Sequence, residues 1–204
     1  MLKLKRVAVT GSLASGKTTV CNFFREWGAY VVSADALLHD TFSFDTPVGR
    51  KIHSLFGDAV VEGTSINRSK VAEIVLHSPN LLTKLEALCH PYVNQEIQKQ
   101  YQKASEEGQH SLFVAEVPLL FESRYSLKAW FDATIVVVSS KENSKQRYLE
   151  KGGTAEQFEF RESRCMPLDE KIQLAGHSLI NNGSLLSLKN QTKTVFKKLS
   201  QKNP

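Results

Sequence analysis

No apolar run in this chain of 204 residues approaches the ~18 needed to span a bilayer. Cysteine is scarce as well. Cys21, Cys89 and Cys165 lie far apart with no Cys-x-x-Cys pair, which excludes a disulfide framework and a zinc site and predicts reduced thiols. The basic residues Lys3, Lys5 and Arg6 precede an apolar stretch that stops at Thr10-Gly11. That stretch is too short for a signal-peptide core and has no small-residue cleavage site, so the expectation is a cytoplasmic protein. Internal repeats, low-complexity segments and long linkers are absent too. What remains is one domain of ordinary size, with 41% hydrophobic and 23% charged residues.

The body of the chain has no excess of charge. The net +5 comes from the last sixteen residues, where Lys189, Lys193, Lys197, Lys198 and Lys202 stand without an acid. Removing those five from the 26 basic residues leaves 21, matched by the 21 acids. A nucleic-acid footprint needs basic residues clustered over the folded surface, so a solvated terminal helix is expected and no nucleic-acid partner.

Short apolar runs at 6–10, 30–33, 112–117, 134–138 and 178–180 alternate with helical patterns. That rhythm predicts an α/β fold with a five-stranded parallel sheet. Several runs are continuous Val, Ile, Leu and Phe, as expected for strands covered on both faces. Residues 36–110 carry no convincing strand and read as a helical insertion. Ser78-Pro79 opens a helix within it, and Pro91 is expected to break or kink the pattern that follows. A smaller insertion follows the fourth strand. There one helix ends at Gly152-Gly153, and Thr154 to Gln157 fits a capping box that starts another. The paired glycines suit either a lid joint or an ordinary turn. The expected division is a core of 1–35, 111–140 and 176–204, a substrate lobe at about 36–110 and a lid at about 141–175.

Residues 7–20 read VAVTGSLASGKTTV. Gly11 to Thr18 matches G-x-x-x-x-G-K-[ST], and its setting is a buried strand before and a helix after (residues 17–27, stopped by Gly28). Glycines at 11 and 16 let the backbone wrap a phosphate, with the N–H groups of Ala14, Ser15, Gly16, Lys17, Thr18 and Thr19 in reach of it. The helix N-terminus adds partial positive charge there, Lys17 reaches the β- and γ-phosphates, and the Thr18 hydroxyl is placed to ligate Mg²⁺. ATP with Mg²⁺ is the expected ligand pair.

Three classes use such a loop: small-molecule kinases, guanine-specific switches, and motor or nucleic-acid ATPases. The Asn-Lys-x-Asp element of a guanine switch is missing. So is the acidic pair that closes a buried strand in motor ATPases, since Glu116 stands alone before Val117-Pro118. Length, helical insertion and lid favour a kinase acting on a small acceptor. A nucleoside monophosphate kinase and a non-enzymatic nucleotide-binding module are the other readings.

Further stretches, in order, resemble one family. VVSAD at 31–35, LCHPYV around His90-Pro91, VPLLFE at 117–122 and INNGS at 180–184 are similar to elements of the dephospho-CoA kinases. Residues 56–79 resemble that family's stretch carrying an arginine, here Arg68. The resemblance covers nearly the whole chain and implies a P-loop kinase fold. It also implies transfer of the ATP γ-phosphoryl group to the ribose 3′-hydroxyl of dephospho-CoA, by a monomer or small homo-oligomer. It further implies that Asp35 is the catalytic base and that Lys17 and Arg147 stabilise the transferring phosphoryl. Arg68, His90 and Arg161 then contact substrate, and Asn182 contacts adenine. From the residues alone, Asp35 also fits a helix N-cap, Arg147 a solvated helix charge, His90 a structural histidine, and Glu116 either a neighbour of the metal or a plain strand end. The chain departs from the family pattern at Ser33, His39, Lys151 and Cys165, and its late loop is one residue shorter.

Overall fold

The computed structural model describes residues 4–201; Lys3 and Lys202 lie outside them. Two compact units form, one from residues 1–33 with 100–204 and the other from Ala34–Lys99.

The first unit is built on β1 (Arg6–Gly11), whose Val7, Ala8 and Val9 have no exposed surface. A strand buried on both faces needs apolar residues at consecutive positions, which is what this run supplies. β2 (Tyr30–Ser33), β5 (Phe113–Glu116), β6 (Ala133–Val138) and β7 (His177–Ile180) complete a five-stranded sheet in the order β2-β5-β1-β6-β7. Every pairing is parallel, as expected from the sequence. α1 (Lys17–Glu26) and α9 (Leu185–Ser200) pack together on one side. α9 buries Leu188, Thr192, Val195 and Leu199 at helical spacing and leaves Lys193, Lys197 and Lys198 exposed. The lysine-rich segment is therefore a solvated helix face.

After β6 come α6 (Lys141–Glu150), α7 (Ala155–Glu162) and α8 (Leu168–Leu174). The Thr154 capping box is present, with Gln157 returning the bond. Gly152 takes φ 86 as the left-handed residue that ends α6. A Cβ on Gly153 would lie 2.1 Å from the Tyr148 ring. Tyr148 in turn packs on the buried Phe158, and Glu159 pairs with both Lys141 and Lys145 at 2.8 and 2.9 Å. Gly153 is thus packed under Tyr148, whereas a Cβ on Gly152 would stand in open space.

The second unit holds α2 (Ala34–Asp40), α3 (Pro47–Phe56), α4 (Arg68–Leu76) and the larger part of α5 (Pro79–Glu107) around Phe42, Ile52, Val60, Ile66, Val71, Val75 and Cys89. Two features differ from the sequence reading. β3 (Val61–Glu62) and β4 (Ser65–Ile66) pair antiparallel about Gly63 at φ 58, where no strand was expected. Two-residue strands are too short to show a period. α5 also continues through Pro91. The proline removes one backbone donor, but Cys89 before it and Val93 and Ile97 after it are all buried, and that burial holds both halves in one helix.

Candidate active site

β1 ends where a side chain no longer fits. Gly11 has φ 147, and a Cβ there would stand 2.3 Å from the carbonyl oxygen of Val137 on β6. The chain turns through Ala14 at φ 51, a left-handed residue other than glycine, and reaches Gly16 at φ 103. A Cβ on Gly16 would meet the Asn181 amide nitrogen at 2.3 Å. Gly11 is therefore required by a backbone contact as well as by backbone angle, and Gly16 by backbone angle, with the movable Asn181 amide beside it.

Inside the loop, the Lys17 ammonium donates to the carbonyls of Ser12 at 2.7 Å and Gly11 at 3.2 Å and is 8% exposed. The Ser15 hydroxyl is buried with no hydrogen-bond partner. An orphaned hydroxyl is costly unless a ligand completes it, and a phosphate oxygen is suited to do so. No side chain caps α1, and its first turn holds no acid, so the helix end presents its positive pole to the loop.

Thr18 is exposed at the loop's mouth, and its hydroxyl donates to Glu116 at 2.9 Å. Glu116 is the last residue of β5, beside Val9 on one side and Ser33 on the other. It is thus both a strand end and a partner of the loop threonine. Cys21, one turn into α1, has its thiol pushed well up, first by burial and then by the Glu116 charge. Among the described residues no three His, Cys, Asp or Glu side chains converge as a metal-binding cluster. The donor set of one hydroxyl beside one carboxylate suits Mg²⁺, which keeps waters and substrate phosphates as its other ligands.

Arg147, on α6, donates to the Ser139 hydroxyl at 3.0 Å and the Asn181 carbonyl at 2.9 Å. The Asn181 amide donates to the Ser15 carbonyl at 2.8 Å, so one asparagine touches both the phosphate loop and Arg147 of α6. Asn182 is occupied otherwise: its side-chain oxygen accepts from the Ser140 N–H at 2.8 Å. Arg161 is exposed on α7, with its guanidinium 5.9 Å from the centre of the Tyr148 ring.

In the other unit, Asp35 is the exposed second residue of α2. The position that flanks the helix is Ser33, so Asp35 is not the cap. Arg68 opens α4 and lies 2.7 Å from the His39 ring nitrogen, with the Phe42 ring beneath it at 5.4 Å. Nδ1 of a neutral His39 accepts from the guanidinium. His90 sits within α5, next to the buried Cys89. The structure thus gathers Gly11, Ala14, Ser15, Gly16, Lys17, Thr18, Thr19, Glu116 and Arg147 in one unit, with Asp35, Arg68 and His90 in the other.

Asn181 was missed by the sequence reading, and so were Glu122 and Lys171. Glu122 stands in the quoted stretch VPLLFE, which marks the residue but not its partner.

The family model for dephospho-CoA kinases matches residues 5–187. A dephospho-CoA kinase of Protochlamydia amoebophila is 40% identical over 201 residues, 98% of each chain. One of Chlamydia pneumoniae is 39% identical over 197 residues, 96% of each chain. The solved dephospho-CoA kinase of Campylobacter jejuni superposes with a TM-score of 0.69 at 25% identity, covering 96% of both chains. No helix among the described residues is long and apolar enough to cross a membrane.

Proposed function

The chain belongs to the dephospho-CoA kinase family, and from that premise we propose that it moves the γ-phosphoryl group of ATP onto the ribose 3′-hydroxyl of dephospho-CoA, releasing ADP and coenzyme A. The observation that carries the reading is the phosphate loop itself: a buried lysine, an orphaned serine hydroxyl and an uncapped helix end converge on one concave backbone.

The loop holds the β- and γ-phosphates of ATP. Lys17 turns from the carbonyls of Gly11 and Ser12 to bridge them. Thr18 is the residue that would hold Mg²⁺, with Glu116 orienting its hydroxyl. Bound there, the ion would draw negative charge off the phosphates and favour departure of ADP. Asp35 accepts the proton of the 3′-hydroxyl as its oxygen attacks phosphorus and the bond to the β-phosphate oxygen breaks. Asp35 follows β2 by two residues along the chain. Arg147 and Arg161 supply positive charge to the phosphoryl oxygens from the lid, and Arg68 and His90 serve the acceptor. Asn182 borders the adenine through its place beside Asn181.

Coupled ADP release measured with dephospho-CoA, AMP, other monophosphates and no acceptor tests the proposal. Dephospho-CoA should give the fastest turnover at saturating ATP. A faster rate with AMP would make the protein a nucleotide kinase.

A further inference from the structure

Lys171 on α8 has no exposed surface, and its ammonium lies 2.6 Å from the Glu122 carboxylate, which is 13% exposed; the contact is an ion pair, since the ammonium has no partner in hydrogen-bond geometry. The same Glu122 oxygen accepts the Met166 N–H at 2.9 Å, and the other oxygen accepts the N–H of Phe121 at 3.2 Å. Met166 belongs to the strap between α7 and α8. One carboxylate therefore fixes three backbone segments: its own loop, the strap and α8.

That loop has a second duty. It leaves β5 at Glu116, which holds Thr18, and at its start the Pro118 carbonyl accepts the Thr10 hydroxyl at 3.0 Å. The contact with the phosphate loop, at Glu116, therefore lies only six positions before the contact with the lid's trailing end, at Glu122. The leading end of the lid is held by exposed or half-buried polar bonds, Ser140 to Asn182 and Arg147 to Ser139 and Asn181. Between the two ends, α6 and α7 are linked by the exposed ion pairs of Glu159 with Lys141 and Lys145 and by Tyr148 over Gly153. Of these ties, only the one at the trailing end contains a side chain with no exposed surface, Lys171.

Burying an ammonium and a carboxylate gives little net stability compared with apolar side chains of the same volume, whereas directed bonds from one carboxylate fix geometry. We propose that Glu122 and Lys171 are positioning residues: the pair fixes the trailing end of the α6–α7 segment, and through it sets where Arg147 and Arg161 stand during phosphoryl transfer. The catalytic part of this inference rests on the function proposed above; the mechanical part does not.

The test uses the full chain with Lys171→Met, which keeps length and apolar volume, and with Glu122→Gln, which keeps shape and removes charge. Hydrogen exchange followed by mass spectrometry, with no acceptor present, should show amides of residues 163–175 exchanging about tenfold faster or more in either variant, while those of β1 and β6 keep their protection. With dephospho-CoA and ATP, kcat should fall about tenfold or more while KM for dephospho-CoA stays within about threefold, because the lid cations act chiefly in the transition state. Unchanged exchange in the strap overturns the proposal. So does an equal loss of protection in β1, which would make the pair a general stability element, and so does a loosened strap with unchanged kcat. If Lys171→Met does not fold, Glu122→Gln decides by the same readings. If the unsubstituted protein does not phosphorylate dephospho-CoA, the function proposed above falls; the exchange pattern, together with the rate on whichever acceptor is used, then decides the role of the pair.

Discussion

The side-chain amide of Asn181 donates to the main-chain carbonyl of Ser15 across 2.8 Å and fills the space that a side chain at residue 16 would need. Two residues 166 positions apart are thereby made part of one phosphate-binding loop.

Gly16→Ala meets this amide and also forces a methyl group onto a backbone at φ 103. ATP affinity should fall about tenfold or more, since the loop must shift before it can wrap a phosphate. Asn181→Ala alone should cost about 1 kcal/mol of stability, the ordinary worth of one hydrogen bond. Combined with Gly16→Ala, it should recover part of the lost affinity, because the clash is gone and only the backbone strain remains. Isothermal titration with an ATP analogue measures all three variants; strictly additive losses would show that the two positions do not interact.

Asp35→Asn keeps the size and removes the proton acceptor. As an exposed residue in the first turn of α2, Asp35 contributes to the helix end only about 0.3–1 kcal/mol, so the melting temperature should barely move. Phosphoryl transfer should drop about a hundredfold to ten-thousandfold, in kcat more than in KM for ATP. Steady-state kinetics within a few-fold of the unsubstituted protein would remove Asp35 from the chemistry.

The α6–α7 pair has its own pH signature. Hydrogen bonds from Lys141 and then Lys145 push the Glu159 carboxyl down to about 2 from an ordinary 4.5. Because the folded value is the lower one, the link between α6 and α7 is fully present above about pH 4.5 and is lost as the pH falls through about 2. Both partners are open to water, so in ~1 M salt the Glu159 midpoint should climb toward the ordinary value. NMR titration of the side-chain carboxyl reads this directly. A low-salt midpoint near 4.5 would mean that the two lysines do not hold Glu159 in solution.

Much of the site could be read from residue types in sequence. Gly11, Gly16, Lys17 and Thr18 sit between a strand buried on both faces and a helix, and the structure has that strand, that loop and that helix. Thr154 and Gln157 announced their capping box because its chemistry is local. Contacts across the chain were not legible. Asn181 and Asn182 are the same residue type side by side, and only the turn of the backbone after β7 decides that the first meets the phosphate loop and the second meets Ser140. Lys171 gives no sequence sign of burial, since the carboxylate that makes it tolerable belongs to a loop 49 positions earlier. Gly152-Gly153 reads in sequence as a lid joint or an ordinary turn, and nothing in those residues announces the Tyr148 ring over Gly153. Pro91 was expected to break or kink the pattern, and the break does not occur because buried neighbours on either side keep the helix continuous.

The most direct test of the central claim is the identity of the product. The protein, incubated with ATP, Mg²⁺ and dephospho-CoA, should convert the acceptor into a species whose mass and phosphorus NMR spectrum show one added phosphomonoester on the ribose 3′-oxygen. The same incubation with Lys17→Ala, which removes the ammonium from the phosphate loop, should yield almost none, a loss of several kcal/mol in transition-state stabilisation. Phosphate appearing on any other position of the acceptor, or equal product from the Lys17→Ala protein, would contradict the account.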